Sequence, residues 1–422
     1  MKAVFTRAVR YQADAVCETP LRTGGADGSM ESVLRDSFGN AFVQGSSLAG
    51  ALRGWLEKNG ERKTAEALFG SREHEGSLIV SDAMLQDDAE QEIRPRLRID
   101  ERNGAAAAGS KFDVAHIASG SRLRFDLTWL GDRQNDEEIM AVERMLGAVG
   151  GGEIRLGAQK SNGFGKLSLR VRKRSYDLMD EADRMAWLED RDDGEEIELP
   201  KTVTGRQVTF TVTGYADSVL VKASAAVHEG DQSYAVNIQE NGRPVLPGSS
   251  VKGAVRAQCV RIARSAGVGE TLVDDLFGRG ARDGDNGRAG SICVDDVRVA
   301  DVRRQRIRRI RIDRFTGGVI RGGLFSEEPL TGEVRVDISV RAEQKAACAL
   351  LAYALRDLGL GLYGLGSGSA VGRGYITVRQ ILIRTSDGKK AEIAFDRDGT
   401  MSVGDADELL EQWQKAWKEC MA

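Results

Sequence analysis

Proline, histidine and aromatic residues are scarce in this chain. It holds six prolines, three histidines (His74, His116, His228) and 6% Phe, Trp and Tyr among 422 residues. The five cysteines, Cys17, Cys259, Cys293, Cys348 and Cys420, include no C-x-x-C pair. That pattern reads as reduced thiols in a cytoplasmic protein, and no structural zinc is expected. No run of about 20 apolar residues is present, so no membrane-spanning helix and no membrane partner are expected. The opening MKAVFTRAVRYQADAVCE lacks the apolar stretch of a signal peptide.

Glycine is what the chain has in surplus. Fifty glycines are about 12% of the residues, against about 7% in ordinary chains. No G-X-Y period accompanies them, which excludes collagen. Many glycines with few prolines point to many positions of positive φ or close backbone approach. With 41% hydrophobic and 29% charged residues, the chain can bury real cores. Its length predicts two or three domains.

The net charge of −4 hides an uneven distribution. Residues 176–200 hold eleven acids and two arginines, and the tail 387–422 holds nine acids and five bases. Without these two segments the remainder is basic, at +9. The densest basic run is Arg303–Arg314, RRQRIRRIRIDR, with seven arginines and one acid; Arg94, Arg96, Arg98 and Arg102 form a thinner cluster. Arginine on extended structure suits phosphate, because its fork makes bidentate bonds.

Comparing the halves reveals a duplication. GSSLAGALRGWLE (Gly45–Glu57) matches GSSVKGAVRAQCV (Gly248–Val260), and Leu68-Phe69-Gly70 matches Leu276-Phe277-Gly278. GSLIVSDAM (Gly76–Met84) matches GSICVDDVR (Gly290–Arg298), and LRIDERNG (Leu97–Gly104) matches IRIDRFTG (Ile310–Gly317). SRLRFDLTWL (Ser121–Leu130) matches GEVRVDISVR (Gly332–Arg341), both alternating at the strand period. Each half closes on a glycine-rich loop and a strand, Gly150–Arg170 and Gly364–Arg379. The serines after Gly45 and Gly248 can cap helices. The resulting order is β-α-β-β-α-β, a ferredoxin-like unit in the α+β class. The expected organisation is a first domain over 1–174, an acidic linker over 175–205, a second domain over 206–384 and an extension over 385–422. In that extension DADELLEQWQKAWKECMA reads as an amphipathic helix with Leu409, Leu410, Trp413 and Trp417 on one side.

These residues resemble the RAMP superfamily of CRISPR-associated proteins, and within it the backbone subunits of type III effector complexes. The likeness is carried by PVLPGSSVKGAVR (Pro244–Arg256), AFVQGSSLAGALR (Ala41–Arg53), IRIDRFTG, LRIDERNG and SNGFGK. The tandem form is similar to fused double-subunit members. The resemblance implies two RRM-like domains with thumb hairpins, guide RNA and target RNA as partners beside other effector subunits, and a role in antiviral defence. It further implies that each thumb inserts between guide and target, and that the serine-lysine helix start contacts the guide backbone. In many type III members an aspartate in the loop before the GSS cleaves the target RNA.

The residues bear on these implications one by one. Ser249, Ser250, Lys252 and Arg256 form a candidate phosphate site at a helix start, as do Ser46, Ser47 and Arg53, where Ala49 replaces the lysine. The alternative is plain capping with the cations in solvent. The loop GSGSAVGRG lacks the P-loop pattern and precedes a strand, so its glycines suit approach by RNA backbone or by another loop. There Lys160 and Arg373 supply charge, and Phe164 and Tyr375 either stack or pack. The expected thumbs are Asn103–Ile117 and Thr316–Leu330, with Phe112, Val319, Ile320 or Phe325 as wedges and Arg308, Arg309, Arg311 and Arg314 beside them.

Asp27 and Asp231 lie 18 and 17 residues before Gly45 and Gly248 and best match the cleaving aspartate. Each would share Mg²⁺ or another divalent cation with RNA oxygens. The family run lies closer to the GSS, which leaves Asp27 and Glu31 as alternatives in the first half. His228 has no counterpart there as a general base. The expected activity is that of an endoribonuclease. The rivals are a non-cleaving RNA scaffold and a guide-RNA-processing enzyme.

Overall fold

The central strand of each half is fixed by alternation. In Arg7–Cys17 the core receives Val9, Tyr11, Ala13, Ala15 and Cys17, while in Gln207–Val219 it receives Val208, Phe210, Val212 and Ala216. The computed structural model describes residues 5–24, 30, 32–86, 91–99, 106–132, 134–191, 193–201, 207–223, 225–229, 232–280, 286–341, 344–396 and 398–421. Two units emerge. The first comprises Met1–Ile93, Phe112–Lys160 and Phe164–Thr204; the second comprises Arg94–Lys111, Ser161–Gly163 and Gly205–Ala422.

In the first unit the antiparallel sheet runs Leu167–Asp177, Arg7–Cys17, Arg122–Gly131, then the short strands Leu78–Val80 and Ala83–Leu85. The second unit repeats this order with Tyr375–Thr385, Gln207–Val219, Leu330–Arg341, then Ile292–Val294 and Val297–Arg304. Both have the ferredoxin-like arrangement expected from the element order. The registers coincide: Trp129 pairs with Val9 and Leu78, and Val340 pairs with Val208 and Ile292.

Helices Gly45–Lys58 and Asp136–Gly150 bury Leu48, Leu52, Leu56, Val142, Met145 and Leu146 against the first sheet. Helices Gly248–Ser265 and Lys345–Gly359 do the same in the second with Val251, Val255, Leu351 and Leu355. Their apolar residues recur every three or four positions, which makes one stripe per helix.

The acidic segment is ordered on the first unit. Asp180 caps the helix Glu181–Leu188 by accepting from Asp183 N, and Glu195–Glu196 pairs with the outer strand at Arg172 and Lys173. Arg174 reaches Asp183 and Asp193, each at 3.4 Å, and Arg10 is ion-paired with Asp190 while lying over the Trp187 ring.

The tail is folded into the second unit. Lys390–Phe395 and Met401–Gly404 extend its sheet, and Leu409, Trp413 and Trp417 of the last helix are buried in its core. Asp405 accepts from Leu409, Leu410 and Glu411 N–H and so starts that helix.

Candidate functional site

The repeated helix start is built from a glycine and a distant aspartate. Gly45 N donates to Asp82 Oδ1 at 2.6 Å, and Gly248 N donates to Asp296 Oδ1 at 2.7 Å. A Cβ at Gly45 would stand 2.6 Å from Val80 O, and one at Gly248 would stand 2.1 Å from Val294 O. Only glycine fits so close to a carbonyl. The serines do not cap: the cap positions are Gln44 and Pro247, with no side-chain cap bond. Ser46 and Ser47 lie exposed in the first turn, and Ser249 and Ser250 are half-buried. The N–H of Ser47 and Ser250 already donates to Gln44 O and Pro247 O. Hydroxyls, more than free amides, are therefore what this turn offers. The matched GSLIVSD and GSICVDD segments carried the signal for Asp82 and Asp296, since both end on the capping aspartate.

The two arginines of the motif turn inward to the same target. Arg53 donates to Gly70 O at 3.2 Å and Arg256 to Gly278 O at 3.1 Å, tying each helix to the carbonyl that ends the next one. Arg53 also pairs with Glu57. Lys252 Nζ donates to Ser161 O at 3.4 Å. Burial pushes its pKa down to about 8, with Arg256 and Arg96 adding to the effect and Cys293 opposing it.

The thinner arginine cluster divides. Arg94 is 1% exposed and bridges Asp296 Oδ2 at 2.5 Å and Glu240 Oε2 at 3.3 Å. Arg96 is pushed down to about 10 by burial and by Arg94, against the pull of Asp296. Arg98 is exposed, and Arg102 lies outside the described residues. Sequence reading offered no sign that Arg94 would be interior, because its two carboxylates lie 146 and 202 residues away.

The second thumb starts earlier than expected. Its strands are Ile307–Ile312 and Val319–Glu328, so Arg308, Arg309 and Arg311 belong to the hairpin itself and Arg314 to its turn. The R-I-R-R-I-R-I run alternates, and Asp313 fixes the turn by accepting from Phe315 N, Thr316 N and Thr316 Oγ1. Those bonds hold the Asp313 carboxyl below the usual carboxylate range. Arg308, Arg311 and Arg314 are exposed beside Ile310, Ile312, Val319, Ile320, Leu324 and Phe325, and Phe315 is 92% exposed. Val319–Glu328 runs parallel to Gln232–Val236, the strand that continues the loop before the second GSS. Arg306 lies 3.7 Å over the Tyr234 ring and pairs with Glu229. In the first half, Phe112–Ile117 pairs with Gln91–Arg96. Phe112 is exposed.

The closing loops are clasped by the chain's own backbone. A Cβ on Gly157 (φ +72°) would lie 2.1 Å from Arg22 O, and one on Gly366 (φ +81°) would lie 2.5 Å from Leu220 O. Phe164 is buried against His116, with ring centroids 5.5 Å apart. Arg373 is 4% exposed and meets Glu327 at 2.6 Å, while Lys222 holds the other oxygen at 2.8 Å. Burial alone would raise the Glu327 carboxyl, but the two cations hold it low. Of this group Lys160, lowered by burial and by Lys58, and the partly exposed Tyr375 remain toward the surface.

Asp27, Glu31 and Asp231 lie outside the described residues. His228 is exposed on Val227–Glu229 and pairs with Ser233. Among the described residues no three His, Cys, Asp or Glu side chains could hold a metal, and no helix is long and apolar enough to cross a membrane.

Comparison with known proteins agrees with the doubled architecture. The chain is 27% identical over 179 residues to the CRISPR system Cms endoribonuclease Csm3 of Methanocaldococcus jannaschii, covering 36% of this chain and 70% of that protein. A chain in a cryo-EM structure of the Type III-B Cmr-beta bound to cognate target RNA matches with a TM-score of 0.33 and 17% identity. That match covers 40% of this chain and 61% of the other. The RAMP superfamily model matches residues 14–168 and 226–377, one region in each half, and the chain belongs to the RAMP superfamily.

Proposed function

We propose that the chain is a backbone subunit of a type III CRISPR effector that binds guide RNA through two successive domains and cuts the paired target RNA. The second hairpin carries this reading. It sets exposed arginines beside apolar side chains held in water, with Phe315 at its tip. Such a surface suits nucleic acid: guanidinium groups take phosphates, and apolar side chains take unstacked bases. Separating a base step costs about a few kcal/mol, which wedge and phosphate contacts must offset. The relative from Methanocaldococcus jannaschii is named as an endoribonuclease, which supports cleavage in addition to binding.

In this reading the cutting groups are Asp27, or Glu31 in its place, and Asp231. A divalent cation such as Mg²⁺ shared with RNA oxygens would stabilise charge on the cleaved phosphate. The hairpin arginines hold the strand on either side, and the exposed apolar residues keep the flanking bases apart. The test is cleavage of matched target RNA by the assembled complex with Mg²⁺. Asp27→Ala and Asp231→Ala should each remove one cut and leave RNA binding intact. Two cuts surviving the double substitution would sink the residue assignment. Binding without any cut in the unaltered chain would make it a structural scaffold, and cutting of precursor RNA alone would make it a guide-processing enzyme.

A further inference from the structure

The two repeats differ where the third sheet strand passes the start of the second helix. In the first unit the Trp129 indole fills this place. It is fully buried and donates from Nε1 to Glu138 Oε2 at 2.7 Å. Ser77 Oγ donates to the same oxygen at 2.5 Å, and Asn135 Nδ2 donates to Glu138 Oε1 at 2.6 Å. Gly131 leaves room for the indole, since a Cβ there would lie 2.3 Å from the ring.

The second unit has the same backbone and a different filling. Val340 stands for Trp129, as the paired registers require. The helices Asp136–Gly150 and Lys345–Gly359 have equal length, so Ala347 stands for Glu138 and Gln344 for Asn135. Ser291 N donates to Asp275 O as Ser77 N donates to Ala67 O, so a carboxylate stands where the first unit has alanine. The loss of the indole and its acceptor leaves a cavity of about 210 Å³, with Asp275, Ser291, Val340, Gln344 and Ala347 among its walls. At ~30 Å³ per water that is room for about seven waters.

The chemistry of this cavity is graded. The Asp275 side chain is only 9% exposed; Arg288 pairs with one of its oxygens. Oδ2 is buried without a hydrogen-bond partner among the described residues. Such an oxygen is costly to leave unmatched. At the rim are Arg288, whose side chain is 55% exposed, and Arg341, also exposed. Val340 and Ala347 add aliphatic faces to the wall.

We propose that this cavity is a binding site for a guanine base carrying a phosphate. A buried carboxylate calls for two adjacent, coplanar N–H donors, which guanine presents at N1 and N2. Adenine sets the N1 lone pair beside its amino group and would repel one oxygen. The flat ring would occupy the place of the Trp129 indole, and Arg288, swinging from Asp275, would join Arg341 on the phosphate. This site shares no lining residue with the hairpin and does not depend on its role.

The full chain is titrated by calorimetry with GMP, AMP and XMP, and with a single-stranded RNA containing one guanosine. GMP should bind at least tenfold more tightly than AMP. Asp275→Asn, which keeps shape, should weaken GMP at least tenfold and strengthen XMP, because xanthine offers an acceptor where guanine offers the N2 donors. Val340→Trp with Ala347→Glu, the first unit's filling, should abolish both. Competition between the RNA and GMP would identify a guanosine within RNA as the source; GMP binding alone would identify a free nucleotide. Equal GMP and AMP affinity, no GMP binding, or GMP binding that survives the filled variant would each overturn the proposal.

Discussion

Asp296 and Asp82 occupy equivalent positions and do unequal amounts of work. Each accepts from the first helical glycine, but Asp296 also holds the buried Arg94. Losing a cap acceptor costs about 1–2 kcal/mol; taking one partner from a buried ion pair costs about 3–5 kcal/mol. Asp296→Ala should therefore destabilise the chain clearly more than Asp82→Ala in urea unfolding. Lys252 makes a pH-dependent prediction. Its folded pKa of about 8 lies below the ordinary 10.5, so between those values the unfolded chain binds more protons and stability rises with pH. Below about pH 8 the folded chain bears the whole cost of a buried charge. Lys252→Met should stabilise at pH 7 by on the order of 1–3 kcal/mol, an advantage that shrinks toward pH 10. Melting temperatures of both chains across that range check it.

At the scale of elements, the closing loops separate steric need from conformational need. Gly366 and Gly372 both have positive φ, but a Cβ at Gly366 meets Leu220 O while one at Gly372 meets nothing within 4 Å. Gly372→Ala should cost about 1–2 kcal/mol for the left-handed backbone alone. Gly366→Ala should cost about 1–3 kcal/mol more for overpacking, as read by chemical unfolding. In the hairpin, Phe315→Ala should leave the melting temperature unchanged and weaken RNA binding by about 1–3 kcal/mol, the usual worth of one aromatic–base contact. The doubled sheet order was legible in the sequence, because GSS, L-F-G and the alternating strands recur in one order. Roles inside the motifs were less legible. Arg53 and Arg256 read as phosphate ligands, yet each reaches a carbonyl 17 or 22 residues on. Arg373 reads as a loop cation, yet its carboxylate partner lies 46 residues back. Periodicity reports which face is buried and says nothing of where a long side chain ends.

For the whole molecule, charge is the property most changed by folding. The sequence suggested that residues 176–200 merely offset two basic halves. In the structure this segment lies on the first unit, and its carboxylates engage Arg10 and Arg174. An arginine already matched by a protein carboxylate is not free to neutralise a phosphate and release the cation condensed on it. Under the proposed RNA binding, the slope of log affinity against log salt should therefore fall by about 0.7 for each of Arg311→Ala and Arg314→Ala, the single-strand value. It should not change for Arg10→Ala or Arg174→Ala, as binding isotherms at several salt concentrations would show. In polyelectrolyte terms, residues 176–200 act as fixed counterions to Arg10 and Arg174, so the proposed RNA binding should feel ionic strength through Arg311 and Arg314 and pass over these two.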